Sequence, residues 1–356
     1  MNQRLHFLDA LRAFALIMML QGHFISGLLD IEGVNTAHWS YRFWRYCRGF
    51  TAPIFFTITG WVLTHLLLKE GKKQAPNPRI RKGIRRSIEL LLWGYLLRLN
   101  LPSLFNGHVN SSFWQPDVLH IIGLGILFVL GISLLIKAFP FLRAAIYLGV
   151  ALLIFFIEPL YSELDLNHWP SSIASYLVKG YGGVFYLFPW LGYIAIGSFL
   201  GHVYKADHKN HRFRWVIGFM VLGSLFIFYS SSWWMTLHEW LAWDLMKSVA
   251  YNNYLFIRLG DVLLLIGLFI LFEPWLKHPL WKQIGSNTLS IYVIHYFILY
   301  GSLSGNGLTK FYYKTLHAPW ALFGAVLFVV SCVILAKWGP IAWKHLVQKA
   351  RELFSV

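Results

Sequence analysis

The chain has 356 residues, 57% of them hydrophobic and only 13% charged; a soluble domain carries about 25% charged residues, so the composition argues against a soluble fold. The formal net charge is +16, but the Lys and Arg residues sit in short loops rather than in one basic domain, which argues against a nucleic-acid-binding protein. Cys47 and Cys332 lie far apart, without the spacing of a disulfide framework or a zinc site.

Runs of 18 or more apolar residues read as membrane spans. About ten such segments follow one another at 7–29, 51–68, 84–101, 117–136, 142–159, 183–203, 214–230, 255–273, 283–302 and 319–340. The expected fold is therefore all-α: a polytopic integral membrane helical bundle forming a single domain over residues 1–356. The first run follows Arg4, has full spanning length and contains ionisable groups without a small-residue cleavage site, so it is expected to be the first helix of the mature protein and not a signal peptide. The Trp-rich stretch Ser231 to Tyr254 reads as an interfacial helix. The 17 Trp suit a protein with extensive membrane–water boundaries.

Loop charge sets the orientation. With the N-terminus in the cytoplasm, the inside segments hold 21 Lys and Arg against 7 outside, and eight of the 21 lie between Lys69 and Arg86. That bias follows the positive-inside rule. It predicts an even number of spans and cytoplasmic N- and C-termini.

Against this apolar background the ionisable groups stand out. The first span reads LDALRAFALIMMLQGH, with Asp9, Arg12 and His23 inside it. Arg12 and His23 are eleven residues apart, about 16 Å of helix rise and within roughly 20° of the same face. Asp9 neighbours Arg12 at i,i+3. A charge at membrane depth is costly unless it meets a partner or a wet cavity, so one helix face is expected to line a polar path; an Asp9–Arg12 pair that only fixes packing is the bland alternative. PDVLHIIGLG places Asp117 and His120 at the outer end of the fourth span, and IRLGD places Arg258 and Asp261 in the outer part of the eighth. IGSNTLSIYVIHYFILYG carries Ser286 and Asn287 near the cytoplasm and His295 farther out. FPWLGYIAIGSFLG contains Gly192, Gly197 and Gly201, which permit close helix contact. His23, Asp117, His120, Arg258, Asp261 and His295 thus fall in the outer half, which suggests a polar site open to the outside. Histidine is the side chain suited to take a proton from an attacking hydroxyl or amine near neutral pH.

These segments, with RGFTAPIFFTITGW, resemble the bacterial branch of the heparan-alpha-glucosaminide N-acetyltransferase family, related to the acyltransferase 3 superfamily; Arg12 and His23 match the two ends of the R-x10-H signature of membrane acyltransferases. The resemblance implies transfer of an acyl group, usually acetyl, from cytoplasmic acetyl-CoA or another acyl-CoA to a sugar amine or hydroxyl outside, without a metal, by a protein of the plasma (bacterial inner) membrane. His23 becomes the expected general base, with Asp117 or Asp261 orienting an imidazole, either that of His23 or that of His120 or His295. Eukaryotic relatives use a histidine in the following extracytoplasmic loop instead; here that loop reads NTAHWSYRFW, so His38 is a rival base. Asp9, Arg12, Lys82, Arg85, Arg86, Ser286 and Asn287 are expected on the donor side, and Arg48, Trp190, Arg258 and Asp261 on the acceptor side. The partners expected are acyl-CoA, an extracytoplasmic carbohydrate and the lipid bilayer, with a homodimer left open. A membrane transporter of a small polar or glycan-related substrate is the alternative function, although no inverted repeat is visible; a non-enzymatic membrane scaffold is a third reading.

Overall fold

The structure, a computed structural model, describes residues 4–71, 77–204 and 211–354, with side chains for 4–69, 77–204 and 211–338. Among them the chain is helical, with no strand beyond two isolated bridges, Leu29 to Leu316 and Asn100 to Leu303. The main helices are α1 (His6–Leu28), α2 (Trp39–Arg48), α3 (Thr51–Gly71), α4 (Pro78–Arg98), α5 (Val118–Leu135), α6 (Arg143–Phe156), α7 (Leu187–Val203), α8 (Arg212–Leu241), α9 (Tyr254–Leu271), α10 (Pro279–Ser286), α11 (Thr288–Tyr300) and α12 (Ala318–Phe354). Of the basic residues counted for orientation, Lys72, Lys73, Lys205 and Lys209 lie outside the described residues, as do the side chains of Lys344, Lys349 and Arg351.

The expected ranges all overlap helices, and six helical segments among the described residues are long and apolar enough to cross a membrane: His6–Leu28, Trp39–Lys69, Ser111–Leu135, Arg212–Leu241, Tyr254–Leu271 and Ala318–Trp338. Pro140–Phe156, Leu187–Val203 and Thr288–Tyr300 are apolar but shorter, and α4 opens with a strongly basic turn-and-a-half. Two elements differ from the sequence reading. The helix expected over 214–230 continues through the Trp-rich stretch to Leu241, because nothing in SSSWWMTLHEWL breaks it until Ala242 turns left-handed at φ 50°. The segment 283–302 is split at Asn287 into α10 and α11. A split helix leaves its last carbonyls without intrahelical donors, and the Gly285 carbonyl is put to use below.

The seam between α3 and α7 is built on glycine contacts. A Cβ at Gly197 of α7 would stand 1.8 Å from the Thr57 carbonyl of α3, and one at Gly60 would stand 1.9 Å from the Ile194 carbonyl. The two backbones therefore touch, as the small residues of α7 predict. Gly201 meets the Trp61 carbonyl in the same seam, while Gly192 meets the Phe155 ring of α6. Neither carbonyl can retreat without unwinding its helix. Replacing Gly197 by Val is expected to lower the melting temperature in detergent, with overpacking costing about 1–3 kcal/mol or more; an unchanged melting curve would show that the seam is not close-packed.

Candidate functional site

Two abutting cavities lie against α1. The first, about 290 Å³, has Arg12, Arg79, Lys82 and Arg86 in its wall, and its apolar part includes Leu16, Met19, Phe55, Leu63, Leu90, Ile122 and Ile126. The second, about 180 Å³, is walled by His23, Arg48, Thr51, Ala52, Phe185 and others. The two share Met19, Phe55, Val118 and Tyr292. These four residues, from α1, α3, α5 and α11, form a neck between a cationic chamber and a histidine chamber.

The lining follows from helix geometry. On α1, Arg12, Leu16 and Met19 face the first chamber and Met19, Gly22 and His23 the second, a run at i, i+4, i+7, i+10 and i+11 that keeps one face. On α4, 100° per residue places Arg79, Lys82, Gly83 and Arg86 within an arc of about 100°, and all four line the cationic chamber. Arg85 falls about 60° outside that arc and is exposed. Arg79, which enters the sequence analysis only through loop charge, is placed on this face by the same arithmetic.

Three of the charges near the first chamber have defined neighbours. Arg12 donates from Nη1 to the Gly285 carbonyl at 3.4 Å, using the group freed by the α10–α11 break. Asp9 takes Arg4 Nε at 2.5 Å. Arg86 pairs with Glu89 at 3.0 Å, with both side chains over 40% exposed; such a pair holds its partners weakly. In the second chamber, His23 Nδ1 is 3.3 Å from the Tyr300 hydroxyl, and its ring stands edge-on to His295 at 5.3 Å. Arg48 lies over the Trp44 ring at 5.1 Å, and Trp44 Nε1 donates to Gln21 at 2.9 Å. Gly22 gives the guanidinium its place: a Cβ there would be 3.1 Å from Arg48 Nε.

A family model described as heparan-alpha-glucosaminide N-acetyltransferase, catalytic, matches residues 4–232. The chain belongs to that family. No curated protein matches it. The matched region holds both cavity walls apart from Thr288, Leu289 and Tyr292. With its apolar helices, membership in this N-acetyltransferase family makes the chain an integral membrane acetyltransferase.

The remaining candidates of this N-acetyltransferase sit around the chambers. Asp117 caps α5 and accepts hydrogen bonds from Tyr292 at 2.9 Å and Tyr296 at 2.5 Å, so it holds the neck residue Tyr292 by its hydroxyl. His120 completes a capping box by accepting the Asp117 N–H at Nδ1, 2.9 Å away, and packs on Tyr95 at 4.3 Å. His295 is buried with its ring 4.7 and 4.9 Å from Tyr292 and Tyr296. Arg258 and Asp261 pair at 2.9 Å, and Tyr46 joins them by donating to Asp261 at 2.6 Å under the guanidinium; the cluster fastens α9 to α2. Trp190 packs on Phe56 and Phe185. Ser286 donates to the Gln283 carbonyl, and Asn287 marks the helix break, while the next residues, Thr288 and Leu289, reach the cationic chamber. His38 is exposed and caps α2, accepting the Ser40 N–H.

Proposed function

We propose that this acetyltransferase moves an acetyl group from acetyl-CoA, held in the cationic chamber, to an amine or hydroxyl of a sugar that reaches the histidine chamber from the opposite side of the plasma membrane. The observation that carries this reading is the shared neck: Met19, Phe55, Val118 and Tyr292 belong to both chambers. The lining of the first chamber follows the order of groups along the donor substrate. Arg12, Arg79, Lys82 and Arg86 offer charge-assisted donors to phosphates. The apolar throat beyond them suits the pantetheine arm, and the thioester then reaches the neck. His23, with Nδ1 engaged by Tyr300, keeps Nε2 for taking the acceptor's proton as the nucleophile attacks the thioester carbonyl; His38, at the exposed start of α2, lines neither chamber.

The loop bias of 21 to 7 supports cytoplasmic termini and ten spans, with the cationic chamber on the inside. In intact cells, a cysteine placed at Lys82 is expected to resist a membrane-impermeant maleimide, while one at His168, in the segment 163–170 between short helices, reacts. Labelling of Lys82 from outside would reverse the orientation. Proteoliposomes given labelled acetyl-CoA on the Lys82 side and amino sugars on the other are expected to accumulate N- or O-acetyl sugar. Passage of the sugar without acetyl transfer would identify a transporter instead.

A further inference from the structure

We infer that Thr51, at the start of α3, and Arg48, at the end of α2, form an oxyanion site in the chamber that holds His23, and that they hold the thioester carbonyl oxygen as it becomes negatively charged. The inference rests on the acyl-transfer reading above and assigns residues within its histidine chamber.

Three observations meet in one chamber. Thr51 is 8% exposed, its Oγ1 has no hydrogen-bond partner, and it lines the chamber. A buried hydroxyl without a partner is costly, and this one lines the chamber, where a ligand can accept its hydrogen bond. Second, Thr51 and Ala52 open the 21-residue α3 and both reach the chamber. Their N–H groups precede the first intrahelical bond, from Ile54 to the Phe50 carbonyl, and Pro53 between them and Ile54 has no N–H to offer. The start of a helix favours negative charge. Third, Arg48 lines the same chamber, and among the described residues no carboxylate pairs with it; the Trp44 ring and Gly22 hold its guanidinium in place. An uncompensated cation, an unpartnered hydroxyl and a helix start line one chamber with His23, and together they match the requirements of a developing alkoxide.

The step balances within the site. The acceptor's N or O adds to the thioester carbon while His23 takes its proton, and the carbonyl π pair moves onto oxygen. The Thr51 O–H and the Arg48 N–H groups donate to that oxygen. When the C=O re-forms, the C–S bond breaks, and the coenzyme A thiolate leaves with the proton from His23. Donors fixed in advance at such an oxygen are worth about 10²–10³ in kcat each.

The test uses the purified full-length protein in detergent, with acetyl-CoA labelled with ¹³C at the carbonyl. Infrared difference spectra are expected to show the bound carbonyl band shifted to lower frequency than in water. Thr51→Val and Arg48→Gln should return it toward the free value, and Thr51→Ser should restore the shift. With glucosamine as acceptor, Thr51→Val is expected to lower kcat about a hundredfold with KM for either substrate within about threefold. Wild-type protein that binds acetyl-CoA with an unshifted band, or Thr51→Ser as slow as Thr51→Val, would overturn the oxyanion site and leave the donor chamber standing. Arg48→Gln that raises the glucosamine KM at unchanged kcat would make Arg48 an acceptor anchor and also overturn it. If Thr51→Val does not fold, Arg48→Gln and Thr51→Ser decide the matter by the same band. Failure of the wild-type protein to bind acetyl-CoA at all would instead remove the acyl-transfer reading itself.

Discussion

Replacing His23 by alanine is expected to lower turnover at least about a hundredfold while acetyl-CoA binding stays near normal. General-base assistance is worth roughly 10²–10⁴ in rate, and the substitution removes the imidazole without touching the cationic chamber, about 16 Å of helix rise away at Arg12. The fold has little reason to suffer. His23 is half-buried beside a cavity, and its polar contact is the 3.3 Å approach of Tyr300; few packing contacts are lost. The control is His38→Ala. His38 caps α2 from an exposed position, with Nδ1 2.8 Å from Ser40 Oγ, so its loss should cost helix stability of about 0.5–2 kcal/mol and leave turnover within about twofold. Steady-state rates, acetyl-CoA titration and melting curves on both variants separate the roles. A His23→Ala protein that binds donor and turns over normally, beside a dead His38→Ala, would move the base to the loop and empty the histidine chamber of its function.

The way these residues were and were not legible in the sequence has a physical basis. Helix rise and the eleven-residue spacing of Arg12 and His23 determine which face of α1 is polar, and the structure puts that face on both chambers. Rotation about the other helices was not determined. His120, His295 and Asp261 group with His23 in the sequence because all fall toward the same ends of their spans; His120 and Asp261 make local contacts, a capping box and an ion pair, whereas His295 stands edge-on to His23 at 5.3 Å. In a membrane bundle every helix is apolar on most sides, so the pattern that marks the buried face of a soluble helix is faint. The neck was illegible for a stricter reason. It joins residues 19, 55, 118 and 292, and nothing local in any of those four segments specifies the meeting. Thr51 was invisible as well, since a threonine in an apolar run draws no notice until its hydroxyl is found without a partner. The break at Asn287 was half-visible: GSNT is turn-like, but only packing turns the freed Gly285 carbonyl toward Arg12.

Removing the basic face of α4 is expected to abolish tight donor binding, and the pattern of single variants is the discriminating part. Arg79, Lys82 and Arg86 line the chamber with Arg12, whereas the equally charged Arg85 lies off that face and does not line it. A hydrogen bond between charged groups is worth about 1.5–3 kcal/mol, and about 1.4 kcal/mol is tenfold in affinity. Each of Arg79→Ala, Lys82→Ala and Arg86→Ala should therefore weaken acetyl-CoA binding by roughly tenfold or more, and the triple variant by at least about a hundredfold. Arg85→Ala should bind as the wild type does. The Arg86–Glu89 pair does not oppose this, because exposed pairs contribute about 0–1 kcal/mol and the guanidinium can exchange one acceptor for a phosphate. Salt supplies a second readout: exposed charges are screened over about 8–10 Å at physiological ionic strength, so raising salt should weaken wild-type binding and scarcely affect the triple variant. Topology gives the rival explanation, in which these residues serve only to hold α4's end in the cytoplasm. In that case Arg85 would matter as much as Arg86, the variants would insert poorly, and those that did insert would bind acetyl-CoA with wild-type affinity and the wild-type salt dependence. Isothermal titration of the four single variants across salt concentrations distinguishes a phosphate cradle from a topology signal, because only a cradle depends on which side of the helix a charge occupies.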